Sequence, residues 1–223
     1  MKPIKPVFDQ LKNELSNIRE GIQIIAVTKQ VSVERTMEAI DSGIRHIGEN
    51  RPEGLLAKRE AISSDVKWHF IGNLQSRKVK DVINQIDYLH SLDRKSLAKE
   101  IQKRAERPVN CFVQVNVSKE ESKSGVFPEE TVDFIKSLQP FDKIRVVGLM
   151  TMAPNTEDET VIRNSFKGLK SLQMEIASLN LEHAPCTECS MGMSNDYSIA
   201  AEEGASFVRI GTALVGLESE AKQ

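Results

Sequence analysis

The sequence predicts an α/β protein, a (β/α)8 TIM barrel with an extra N-terminal helix, and three observations lead there. Short apolar, β-branched runs alternate with longer segments of helical period along the whole chain. Eight such runs share 223 residues, or about 28 per unit, the arithmetic of eight β/α repeats. A doubly wound open sheet would be built around a glycine-rich first turn such as GxGxxG, but here the first run leads into TKQVS.

The elements follow in order. An amphipathic helix is expected over 7–19, then a strand in IQIIAVTK ending at Lys29. SVERTMEAIDSG reads as a helix with Ser32 as N-cap and Gly43 as its stop. HIGEN (46–50) is a strand and EGLLAKREAI a helix; WHFIGN is a strand and SRKVKDVINQ a helix begun by Ser76. YLHSL from Tyr88 precedes the helix RKSLAKEIQKRAE. VNCFVQVNV is the longest strand, and the helix PEETVDFIKSL opens with Pro128 where its missing N–H costs nothing. RVVGLMTM, the long helix through VIRNSFKGLKSLQMEIASL, the strand APCTECSMG, the helix DYSIAAEEG and the strand FVRIG complete the set. HIGEN and HFIGN echo one another, as two adjacent barrel strands entering similar loops would.

This length suits a single domain over 1–223 that buries roughly three-quarters of its unfolded surface. Thirty basic against 32 acidic residues leave a net charge of -2, so no positive field exists to hold a phosphate backbone, and nucleic acid is not an expected partner. No apolar stretch approaches the ~20 residues that cross a bilayer, and the acid-containing start is unlike a signal peptide. A cytoplasmic location is expected, with no membrane partner. Three cysteines, Cys111, Cys186 and Cys189, do not make a secreted disulfide framework. Within a strand the Cys186-x-x-Cys189 pair would point to opposite faces, and no second pair completes a zinc set, so buried structural thiols are expected and no metal.

In a barrel the chemistry lies where the strands stop. Those ends hold Lys29, Asn50, Asn73, Asn116, Met150 to Met152, Ser190 to Ser194 and Arg209 to Thr212. A lysine terminating an apolar run would be partly desolvated, which favours the free amine that attacks carbonyls; the plainer alternative is a solvated strand cap. The small residues and hydroxyls of SMGMSND and RIGTALVG suit an anion cradle at the usual barrel phosphate position, after strands seven and eight, or simply make turns. Arg209 inside the last strand needs an acceptor, either a ligand at the mouth or a strand carboxylate such as Glu49. His46, His69 and His90 lack the carboxylate spacing of a metal site and read as satisfied strand histidines. Arg77-Lys78-Val79-Lys80 reads as a solvated helix face. The loop 118–127, rich in charge and serine, could fold over the mouth as a lid or could simply be mobile. Lysine, arginine and cradle on one face fit an aldehyde cofactor bearing a phosphate, pyridoxal phosphate (PLP).

Seven blocks carry a resemblance: AVTK (26–29), GEN (48–50), HFIGNLQSRK (69–78), QVNVSKEESKSG (114–125), VGLMTMAP (147–154), SMGMSNDY (190–197) and RIGTALVG (209–216). Through them nearly the whole chain resembles the pyridoxal-phosphate homeostasis protein family, single-domain relatives of the alanine racemase barrel. The resemblance implies a Schiff base between PLP and Lys29. It places Ser190, Ser194, Gly211 and Thr212 around the phosphate, Arg209 facing the pyridine nitrogen, and Asn50 near the ring. Two departures stand out: Arg51-Pro52-Glu53-Gly54 follows GEN where the family often has a Val-Gln-Glu-like run, and Cys189 stands where an aliphatic residue is common.

The implied function is intracellular PLP homeostasis, with the cofactor held and delivered without turnover. PLP-dependent apo-enzymes would be the acceptors, and the chain would be a monomer or weak homodimer. The length leaves no room for the second domain from which alanine racemases draw a second base, and racemisation needs groups on both faces of the substrate carbon. An amino-acid racemase using Lys29 as its base, with Tyr197 or water opposite, is the alternative. A lysine Schiff-base aldolase needing no cofactor is a third reading.

Overall fold

The structure, a computed structural model, describes residues 2–218. Its eight parallel strands close in chain order into one barrel, β1 pairing with both β2 and β8. The strands are β1 (Gln23–Val27), β2 (His46–Glu49), β3 (Lys67–Phe70), β4 (Tyr88–Leu92), β5 (Val109–Gln114), β6 (Ile144–Met150), β7 (Glu188–Ser190) and β8 (Phe207–Ile210). The helices are α1 (Ile4–Ile18), α2 (Val33–Asp41), α3 (Pro52–Ala61), α4 (Val79–Val82), α5 (Lys95–Arg104), α6 (Pro128–Lys136), α7 (Glu159–Ser178), α8 (Tyr197–Glu202) and α9 (Thr212–Val215). The TIM barrel and its N-terminal helix therefore stand as the sequence predicts. None of the described helices is long and apolar enough to cross a membrane.

Local chemistry sets the helix starts. Ser32 accepts the Arg35 N–H at 3.1 Å as N-cap of α2, Asp158 accepts from Thr160 and Val161 at the start of α7, and Pro128 opens α6. Three expectations are corrected. The helix expected over 76–85 breaks into a 3-10 turn, the four-residue α4 and a second 3-10 turn. The seventh strand keeps only three residues, because Cys186 before it and Gly192 after it both take positive φ, 48° and 96°. Lys29 lies just beyond β1, in a turn.

Two cores hold the barrel. The larger fills the layer between strands and helices, with Ile47, Trp68, Phe70, Leu89, Val113 and Phe166 fully or almost fully buried. The smaller lies inside the barrel, where Ile25, Phe112, Met150 and Phe207 meet, with Tyr88 and Val147 against them. Which residues look inward follows from strand alternation, and that parity decides the site.

Candidate functional site

Ile25 belongs to the inner cluster, so the period of two carries Val27 to the inner side of β1 and Thr28 to the outer, with Lys29 following in the turn just past the strand. Thr28 still follows the ladder, its N–H donating to Gly48 O at 3.0 Å. Its hydroxyl donates to Glu49 at 2.5 Å. Lys58 of α3 donates to that same carboxylate at 2.6 Å and to the Thr28 carbonyl at 2.5 Å. A buried ion pair behind the barrel wall thus braces the residue next to Lys29. Lys29 itself is exposed, which corrects the expected partial desolvation: its position at the mouth comes from the brace, not from burial.

Arg209 of β8 shares the inward parity of Phe207 and is buried. It donates to the Ser190 hydroxyl at 2.7 Å and to the Thr151 carbonyl at 3.0 Å. The expected pairing with Glu49 is absent, because Glu49 points outward to Lys58. Among the described residues Arg209 forms no ion pair, and burial pulls its guanidinium down to about 10, the charge of Asp196 opposing that fall. A buried cation held only by neutral acceptors leaves unmet attraction for an anionic or polarised group at the mouth.

The segments expected to form an anion cradle follow β7 and β8. Gly211 precedes α9, whose first bonds are Leu214 N–H and Val215 N–H to the Gly211 carbonyl; the Thr212 and Ala213 N–H groups lie ahead of them, on exposed residues. A short extra helix after the last strand is the usual phosphate-binding device of a barrel. A Cβ on Gly211 would lie 3.6 Å from Val27 Cβ, so the cradle adjoins the strand that carries Lys29. In the facing loop Ser194 is half-buried. Asp196, raised by burial, accepts the Met193 N–H at 2.6 Å, which removes that donor from any ligand. Ser190 is fully buried, with its hydroxyl between Arg209 and His90; it lies on the Arg209 side of the site. Asn50, half-buried one residue past β2, shares the inward parity of His46 and Gly48. The tip of β3 presses against it: a Cβ on Gly72 would sit 2.2 Å from the Asn50 carbonyl.

The structure therefore gathers Lys29, Asn50, Ser194, Arg209, Gly211 and Thr212 at one end of the barrel, with Ser190 as part of its floor. Other candidates are used elsewhere. Asn116 ties down the loop 118–127 through the Glu120 and Lys123 carbonyls, and the Val126 N–H pairs with Gln114 O. The Tyr197 hydroxyl donates to Glu14 of α1 at 2.7 Å, outside the barrel. Arg77 and Lys80 are exposed and Lys78 pairs with Glu53. Cys186 lies outside the strand expected to contain it. All three thiols are free and buried, each pushed up to about 12 by that burial. No group of His, Cys, Asp or Glu among the described residues could hold a metal ion.

Sequence reasoning missed one assembly. His90 Nδ1 lies 2.9 Å from Ser190 Oγ, His90 Nε2 2.8 Å from His69 Nδ1, and His69 Nε2 2.9 Å from His46 Nδ1. The signal was present in the echo HIGEN and HFIGN: a histidine four residues before a mouth-facing asparagine shares its inward face.

The barrel thus carries a lysine just past β1 and a buried arginine on β8, with the loops that follow β7 and β8 beside them. The sequence model described as alanine racemase, N-terminal domain, matches residues 8–219. The fold is shared with alanine racemase from Corynebacterium glutamicum at a TM-score of 0.76 and 14% identity, over 98% of this chain and 64% of that one. By its curated relatives, this chain belongs to the pyridoxal phosphate homeostasis protein family. Proteins of that name from Aquifex aeolicus and Schizosaccharomyces pombe are 40% and 34% identical over 87% and 97% of this chain, and over 86% and 93% of their own. PipY of Synechococcus elongatus, solved with PLP bound, superposes with a TM-score of 0.86 at 29% identity, over 96% of this chain and all of that one.

Proposed function

We propose that this chain is one PLP-binding barrel domain over 1–223, which holds the cofactor as a Schiff base on Lys29 and serves intracellular PLP homeostasis without turnover of its own. The observation that carries this reading is the pairing of an exposed lysine just past β1, next to the braced Thr28, with the adjoining loop and short helix after β8. The PLP-bound PipY relative supports it. When bound, PLP supplies an aldehyde for a lysine and a phosphate for the cradle. Thr212, Gly211 and Ser194 bind the phosphate, with Ser190 behind them. Arg209, which can only donate, faces the pyridine nitrogen and keeps it unprotonated, and Asn50 stands beside the ring.

Racemisation needs a second base opposite Lys29, and the Tyr197 hydroxyl is spent on Glu14. That favours a carrier over the racemase alternative. PLP-dependent apo-enzymes are the partners of this reading, the cytoplasm its location, and a monomer or weak homodimer its state. The test is to add PLP, reduce with borohydride and map the modified residue by mass spectrometry. Modification at Lys29 is expected; a label confined to other lysines overturns the assignment. Racemase turnover above that of free PLP, lost in Lys29→Ala, would overturn the carrier reading.

A further inference from the structure

The inner cavity of the barrel is crossed by a continuous file of side chains: Arg209, Ser190, His90, His69 and His46. Their contacts are 2.7, 2.9, 2.8 and 2.9 Å in that order. His69 and His90 have no exposure, and His46 is half-buried. The file starts at the Arg209 end of the site. It finishes near the opposite end of the barrel, where His46 packs edge-on against Phe207 and Tyr88 stacks on His69. Phe207 and Tyr88 line a cavity of about 560 Å³ there, together with Gln23, Asn110, Arg145 and Glu188.

The direction of every bond in the file follows from one residue. A guanidinium only donates, so Ser190 Oγ accepts from Arg209. The serine proton then needs an acceptor, and among the described residues the remaining contact of that oxygen is His90 Nδ1. A neutral imidazole that accepts at Nδ1 carries its proton on Nε2. His90 therefore donates from Nε2 to His69 Nδ1, and His69 donates from Nε2 to His46 Nδ1. Burial holds His69 and His90 well below the ordinary histidine range, with the neighbouring histidines and, for His90, Arg209 acting the same way. Each ring thus carries one proton. His46 is lowered by burial and by Lys67, and raised by Asp87.

We propose that Ser190, His90, His69 and His46 form a uniformly polarised proton relay through the barrel, linking the Arg209 end of the cofactor pocket to solvent at the opposite mouth. A proton delivered to Ser190 Oγ by an acidic group of a molecule bound in the pocket, which leaves as its conjugate base beside Arg209, lets Ser190 pass its own to His90 Nδ1. His90 passes its Nε2 proton to His69 Nδ1, His69 passes its Nε2 proton to His46 Nδ1, and His46 releases its Nε2 proton to water. One proton enters and one leaves, every ring ends neutral, and the three tautomers are inverted until rotation or back-transfer resets them. A ligand that seals the upper mouth would leave the protonation of the Arg209 end open to bulk solvent through the floor. The relay belongs to the apoprotein and does not depend on which ligand the pocket takes.

The test uses nitrogen-15 NMR of histidine-labelled apoprotein. In the wild type, His90, His69 and His46 should each show a protonated Nε2 and an unprotonated Nδ1 at neutral pH. A protonated Nδ1 on His69 or His90 overturns the polarity and the proposal with it. His46→Phe keeps a ring at the lower end but cannot exchange protons, so solvent exchange of the His90 Nε2 proton should slow about tenfold or more. An unchanged exchange rate in that folded variant shows that the histidines only fill the barrel. The wild-type tautomers decide the matter if the variant does not fold. Borohydride trapping at Lys29 is read separately, so its failure counts against the cofactor and leaves the relay standing.

Discussion

Glu49 and Lys58 form an ion pair of 2.6 Å behind the barrel wall, with side chains only 2% and 6% exposed. The pair also grips Thr28, whose neighbour is Lys29. Removing one partner strands the other charge in the core, whereas replacing both removes the whole desolvation cost. Lys58→Met should therefore lower stability by about 3–5 kcal/mol and slow adduct formation at Lys29. Glu49→Gln combined with Lys58→Met should recover most of the loss. Urea denaturation of the single and double variants measures this, and an unchanged midpoint in Lys58→Met would refute the brace.

Acid should weaken the fold before most carboxylates titrate. His69 and His90 are held well below the ordinary 6.5, first by burial. Below 6.5 the unfolded chain takes up protons that the folded chain refuses, so their contribution is fully present above 6.5 and is lost as pH falls beneath it. Two such groups give a slope approaching roughly 2.7 kcal/mol per pH unit. His46, lowered as well, adds to it. Urea midpoints at pH 7.5 and 5.5 should differ accordingly; a flat profile would mean that the buried rings accept protons without penalty.

The cradle should control release more than capture. Thr212 opens α9 and Ser194 faces it from the preceding loop. A hydrogen bond to a charged group contributes about 1.5–3 kcal/mol, so Thr212→Ala or Ser194→Ala should speed PLP dissociation by roughly 10- to 100-fold. Borohydride should still trap the adduct at Lys29 in both. Stopped-flow transfer to an excess of competing amine gives the rate, and wild-type rates in both variants would move the phosphate elsewhere.

Tyr197→Phe separates carrier from racemase. The lost hydroxyl serves Glu14 on α1, away from Lys29, so trapping at Lys29 and the visible spectrum of the bound cofactor should match wild type. A racemase activity abolished by this substitution would show that the tyrosine swings into the pocket.

The strand ends were legible because the barrel's period and its β-branched runs are local properties. Lys29, Asn50, Arg209 and Thr212 each fall where an apolar run stops, and closure of the sheet brings them together. Partnerships between strands were less legible. Arg209 and Glu49 looked complementary by charge, yet Glu49 lies one residue before inward-facing Asn50 and so faces α3. Counting parity from His46 would have separated them. The four-residue α9 carries too few residues for any periodic signal, and the broken helix over 76–85 reflects tertiary packing of Val79, Val82 and Ile83, all fully buried. The histidine file joins three strands and so cannot be read from any one of them.

The buried thiols give the protein a further property. Thiolate is the nucleophile that reacts with oxidants, electrophiles and disulfides, and burial, which pushes each group up to about 12, favours the neutral thiol at pH 7. The CxxC spacing is therefore chemically silent while the fold is intact. A shift in glutathione poise should leave the three buried thiols of the folded barrel unmodified. Cysteine labelling then reports unfolding alone: any thiol that reacts marks a molecule whose barrel has opened.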